Sequence, residues 1–211
     1  MMDSRSVRQI LEATDDHIAG IMQLSKDILY KKIPAVMRDK LVNQALKIGR
    51  QTARDIAIEY GTQDPILIAK KLGIKIEEVS SKSFIGNILL RAEYVTSPPT
   101  IRLYKNSIFW LIGTITRLKL EDIFPPEKIM AIHVAHEIFH HIENVKIGLV
   151  SKCYTVNILK IGPIHIKSEI KSLSEIAANA FADTLLNLKV PCGMLDYIII
   201  EEIKNAVKKF S

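Results

Sequence analysis

The chain has 211 residues, 48% of them apolar and 25% charged, a composition that excludes an intrinsically disordered protein and a length that suits one cored domain or one with a small appendage. Its formal charge of +6 comes from short basic pairs such as Lys31-Lys32, Lys70-Lys71 and Lys208-Lys209 interleaved with acids, which reads as a solvated surface and not as a nucleic-acid-binding stripe. The longest strongly apolar run, "SIFWLIG" at 107–113, falls short of the ~20 residues that span a bilayer. The opening "MMDSRSVRQILEATDDH" has no apolar core of a signal peptide, so the expectation is a cytoplasmic protein, free of membrane, with Cys153 and Cys192 reduced.

Residues 1–37 show helical spacing with a break at Pro34 and are expected to form one or two loosely docked helices ahead of a domain at 38–192. From Arg38 to Tyr60, Leu41, Ala45, Ile48, Thr52 and Ile56 recur at helical intervals, and Gly61 is placed to end that helix. Asp64 as N-cap, Pro65 at the first helical position and Gly73 as terminator predict a short helix. "IKIEEV" (74–79) alternates as a strand does, and "GNILLRAEY" (86–94) and "PTIRLY" (99–104) are two more strand candidates around a Ser-Pro-Pro turn. "PTIRLY" is also expected to be a sheet edge along which an extended peptide can pair. "NSIFWLIGTITRL" (106–118) reads as a helix, and Pro125-Pro126 break the chain before a long one at 127–143. A further helix is expected at 172–186, capped by Ser174, and a C-terminal one within 193–211 packs on the same domain. The fold class is α+β.

The helix at 127–143 contains "VAHEIFHHIE" (134–143). At 100° per residue, Ala131, Val134, Ala135, Ile138 and Ile142 form one apolar stripe, and His136 and His140 lie opposite it, one turn apart. Imidazoles at i and i+4 project in parallel and can bind one Zn²⁺ at about 2.0–2.1 Å. Glu137, rotated by one position, flanks the metal and can take a proton from its water. With 6 His in the chain, chance produces HExxH in about one such chain in a hundred. His133 shares the ligand side and is expected to be a packed, hydrogen-bonded histidine; His141 is rotated away, towards the surface.

A catalytic zinc takes three protein ligands and keeps a fourth place for water. No HExxHxxGxxH extension follows His140, which disfavours a third histidine. On the helix at 172–186, Glu175, Asn179 and Asp183 run down one side, so Glu175 is the favoured third ligand, with Glu169 and Glu143 as rivals. Asn179 or Asp183 can accept the free ring N–H of a ligand histidine. Tyr154 and His165 are candidates for stabilising an oxyanion.

"AHEIFHH" followed by "EIAANAFADTLL" resembles the ImmA/IrrE family of zinc metallopeptidases, whose signature joins an AHExxH helix to a later ExxANxFAxxLL helix. Upstream, "DPILIAKKLGIKIEEV" is similar to that family's short helix and first strand, and the resemblance spans roughly residues 40–190. It implies a zincin-like domain with zinc on His136, His140 and Glu175 and Glu137 as catalytic base. It further implies an intracellular regulatory peptidase whose protein substrate is a helix-turn-helix repressor. The interval from His141 to Ser174 is longer than the family's, Ala177 stands where an acid often precedes Ala-Asn, and "LLNLKVP" replaces the usual "LLMP".

Two other readings carry distinct expectations. A non-proteolytic, structural or sensing zinc site would be saturated by a fourth protein ligand such as Cys153 or His165. "IAKKLGIKIEEV" also looks like the start of a helix-turn-helix, but a recognition helix has to follow the glycine and "IKIEEVSSKSFIGN" alternates, so direct binding of nucleic acid is not expected.

Overall fold

Asp15 starts the second of two N-terminal helices, its carboxylate accepting the Ile18 N–H at 2.8 Å. The computed structural model describes residues 4–80, 84–85, 88–161 and 164–208. Gly86 and Asn87 of the second expected strand, and the last residues of the expected C-terminal helix, 209–211, lie outside them. Helices α1 (Ser4–Ala13) and α2 (Asp16–Ser25) are not loosely held: Val7, Leu11, Leu24 and Ile33 belong to the common core. Arg8 reaches Asp122 and the Lys119 carbonyl. The spacing of their apolar residues shows two helices but not what they pack against.

Helix α3 (Ala35–Tyr60) buries Leu41, Ala45, Thr52 and Ile56, and it ends at Gly61 with φ +63°, a left-handed position that glycine adopts without strain. Asp64 Oδ1 accepts the Ile66 N–H at 2.8 Å and opens α4 (Pro65–Lys71) as expected. The segment after Gly73 is the strand β1 (Lys75–Val79), so no recognition helix follows α4.

Strands β2 (Phe84–Ile85) and β3 (Ile88–Leu89) pair with each other. β4 (Ala92–Thr96) runs antiparallel to β5 (Pro99–Tyr104), and β5 runs parallel to β1. The order β1-β5-β4 makes "PTIRLY" the central strand, which corrects its expected place at an edge. Thr100, Ile101, Leu103 and Tyr104 are all buried, as a strand covered on both faces requires. The sheet's edges belong to β1 and β4.

Helices α5 (Lys105–Arg117) and α6 (Pro126–Ile142) fall where the apolar spacing puts them. A π-turn (Glu143–Ile147) and a 3-10 turn (Val150–Cys153) lead into an antiparallel hairpin, β6 (Thr155–Ile161) and β7 (Ile164–Glu169). Helix α7 (Ser172–Leu186) begins two residues before the expected cap, and α8 (Met194–Lys208) follows. The mixed α+β architecture is built in layers: the three-stranded sheet packs on α6, α6 on α7, α7 on α3 and α3 on α2. The tightest crossing lies between α3 and α7, where a Cβ on Gly49 would sit 2.1 Å from the Ala177 carbonyl oxygen. No helix among the described residues is long and apolar enough to cross a membrane.

Candidate metal centre

Helix α6 is covered on one side by β4 and β5 and on another by α7, so its polar residues are left facing a cleft of about 610 Å³. Its walls are β4 with the residues before it, α6, the first two turns of α7, the turns after α6 and the start of α8. His136, Glu137, His140, Glu175 and Asn179 all line it. The two helical motifs, distant in sequence, therefore meet at one place.

Nε2 of His136 lies 3.2 Å from Nε2 of His140, and Glu175 brings Oε2 to 3.3 Å from the first and Oε1 to 3.6 Å from the second. Ligands about 2.05 Å from a tetrahedral zinc stand about 3.3 Å from one another, so this spacing fits such an ion. Among the described residues this is the group of histidine, cysteine and carboxylate side chains that can hold a metal.

Both imidazoles are oriented from behind. His136 Nδ1 is 3.0 Å from Asn179 Oδ1, and His140 Nδ1 is 3.0 Å from Glu143 Oε2. An N–H donated from Nδ1 leaves Nε2 with its lone pair free for a cation. Asn179 thus has one of the two orienting roles expected for the second helix. Asp183 does not reach the histidines; its Oδ1 accepts the Cys192 N–H at 2.7 Å.

Glu143 is not a third ligand. It is 2% exposed, and besides His140 it accepts the Val150 N–H at 2.8 Å and the Ser174 hydroxyl at 2.7 Å. Ser174 Oγ in turn accepts the Ser151 N–H at 3.0 Å, so Ser174 holds the turn after α6 instead of capping α7. Glu169 lines the cleft outside the three-donor group, Cys153 and His165 are exposed and also outside it, and neither Tyr154 nor His165 reaches the cleft wall.

Glu137 is buried beside the two histidines. Burial raises its proton affinity, and the attraction of His136 and His140 only partly offsets that. For His136, burial acts to lower the pKa, but the Glu175 carboxylate outweighs it and holds a proton on the metal-free ring. Glu175 shows the reverse balance: burial raises its pKa, and the facing histidines bring it below the usual carboxylate range. A cation at that point takes over the role of the proton.

His133 is packed in the cleft wall as expected, with its pKa driven down by burial, but its Nε2 has no hydrogen-bond partner among the described residues. His141 corrects the expected surface position. It is buried, and its Nδ1 lies 2.8 Å from Tyr94 Oη, because the sheet covers the side of α6 turned away from the ligands. Tyr94 has no signal in the sequence beyond its place in a strand candidate.

Comparison with protein-family models, curated proteins and solved structures gave no match to this chain. The fold and site define an α+β protein with a His-His-Glu group able to hold a metal ion.

Proposed function

We propose that this protein is a zinc metallopeptidase with a zincin-like domain. The observation that carries the reading is the pair of imidazole Nε2 atoms 3.2 Å apart, with the Glu175 carboxylate against both and the Glu137 carboxylate beside them. Zinc, when bound, supplies Lewis acidity to a substrate carbonyl and makes water a nucleophile at neutral pH. His136, His140 and Glu175 would hold it, and Asn179 and Glu143 fix the two rings.

Glu137 takes the proton from the attacking water and returns it to the leaving amine nitrogen. Its burial suits that work, since a carboxylate with raised proton affinity is a better base. Among the described residues no strand lies outside β4, and that edge, not β5, takes the extended peptide. The residues from Leu89 to Tyr94 line the cleft, and an extended peptide paired along them lies across the metal.

Two features support this reading over a saturated structural zinc site: Cys153 and His165 stand outside the donor group, and a base follows the first ligand. The ImmA/IrrE resemblance directs the choice of substrate to a helix-turn-helix repressor in the cytoplasm. The test is digestion of a mixed peptide library by zinc-loaded protein, read by mass spectrometry. Wild type is expected to create new termini and Glu137→Gln none; equal cleavage by the two would refute the assigned base.

A further inference from the structure

The interval between the two metal-bearing helices carries a charge imbalance: residues 145–171 include Lys146, Lys152, Lys160, Lys167 and Lys171 and a single acid, Glu169. Lys146 is paired with Glu59. Lys152, Lys167 and Lys171 are exposed and have no ion pair among the described residues. Glu169 and Lys171, at the base of the β6–β7 hairpin, line the metal cleft, so the hairpin is continuous with the site.

The hairpin is two strands wide among the described residues, which leaves backbone N–H and C=O groups open along an edge of β7. Its faces differ. Leu159 and Ile166 are directly paired and so share one face, both exposed at 49% and 41%. Lys167, paired with Asn157, lies on the other face, with His165 on the same side two residues away.

We propose that this hairpin is a docking site for an extended, alternating apolar and acidic segment of the substrate protein; this rests on the peptidase reading above. A strand added to β7 places one set of alternate side chains beside Ile166 and the other beside Lys167. The apolar set covers the exposed aliphatic pair. The acidic set meets Lys167.

The partner is a polypeptide and not nucleic acid. β6 and β7 contain no Arg, Phe, Tyr or Trp, so they offer no forked phosphate contacts and, apart from His165, no ring on which a base can stack. Exposed Ile and Leu between the lysines add nothing to a phosphate backbone, whereas an open strand edge pairs with a peptide.

The test uses full-length protein and a fluorescein-labelled dodecapeptide alternating Glu and Val, followed by fluorescence anisotropy. The control peptide alternates Lys and Val. The Glu-Val peptide is expected to bind at least tenfold more tightly, to weaken as salt rises, and to lose about tenfold in Lys167→Glu, with Lys167→Gln between the two. Unchanged melting temperature and zinc content show that the variants are folded. Binding is expected to survive EDTA and Glu137→Gln, so a failed peptidase reading leaves this result standing and a failed docking site leaves cleavage standing. Equal binding of the two peptides, indifference to Lys167→Glu, or tighter binding of a duplex oligonucleotide or phosphatidylserine vesicles would each overturn the proposal.

Discussion

Glu143 Oε2 stands 3.0 Å from His140 Nδ1, three residues along the chain, and the same carboxylate ties that ring to Val150 and Ser174. His140 is thereby fixed to the turn that leads into the β6–β7 hairpin and to the helix that carries Glu175. One buried acid links three segments of the site.

Glu143→Gln keeps the shape of this link and removes its charge. Loss of such an orienting partner typically lowers metal affinity about 10- to 100-fold, to be measured by competition with a zinc chelator. Glu143→Ala also strands the Val150 N–H and the Ser174 hydroxyl, each costing about 1–3 kcal/mol when buried and unpaired. The alanine variant is therefore expected to melt well below the glutamine variant.

Metal affinity is expected to depend on pH with a fixed sign. The metal-free His136 ring has its pKa raised to about 9 by Glu175, against the effect of burial, so zinc has to displace one proton below that value. Affinity then rises by about tenfold per unit between about pH 6 and about pH 8. A flat profile would show that His136 is not the displaced proton's holder.

Asp183 offers a stability test away from the ligands. Burial raises its pKa from 3.8 to about 7, against the Cys192 N–H, which lowers it. The folded state therefore binds the proton more tightly than the unfolded chain, and the contribution of Asp183 to stability is lost as pH rises from about 4 to about 7. Asp183→Asn keeps an acceptor for the Cys192 N–H and has no charge to bury. Its advantage in thermal melting is expected near zero at about pH 4 and on the order of 2 kcal/mol above about pH 7.

Gly49→Ala probes the packing that positions Glu175. The new Cβ would meet the Ala177 carbonyl oxygen at 2.1 Å, so α3 and α7 have to move apart. Overpacking of this kind costs about 1–3 kcal/mol, a drop of roughly 2–4 °C in melting temperature for each kcal/mol in a chain of this size. Because Glu175 lies two residues from Ala177, zinc affinity is expected to fall with stability.

The metal group was legible in the sequence because helical phase is local: four residues fix the relation of His136 to His140, and the same period places Asn179 one turn beyond Glu175. The sequence shows Glu143 only as a rival ligand, since no periodicity brings Val150 and Ser174 to it. The central place of β5 depends on parallel pairing with β1 across the intervening residues, which alternation within "PTIRLY" does not encode. The angle of His141 to His136 and His140 alone points to the surface, but the sheet covers that side of α6. The β6–β7 hairpin had a usable signal in the alternation of "IHIKSE".

The most direct measurement is metal content by mass spectrometry of purified wild type, His140→Ala, Glu175→Ala and Glu137→Gln. Near-stoichiometric zinc is expected in wild type and Glu137→Gln and little in the other two. Zinc retained by Glu175→Ala would contradict the third ligand, and no metal in wild type would contradict the centre itself.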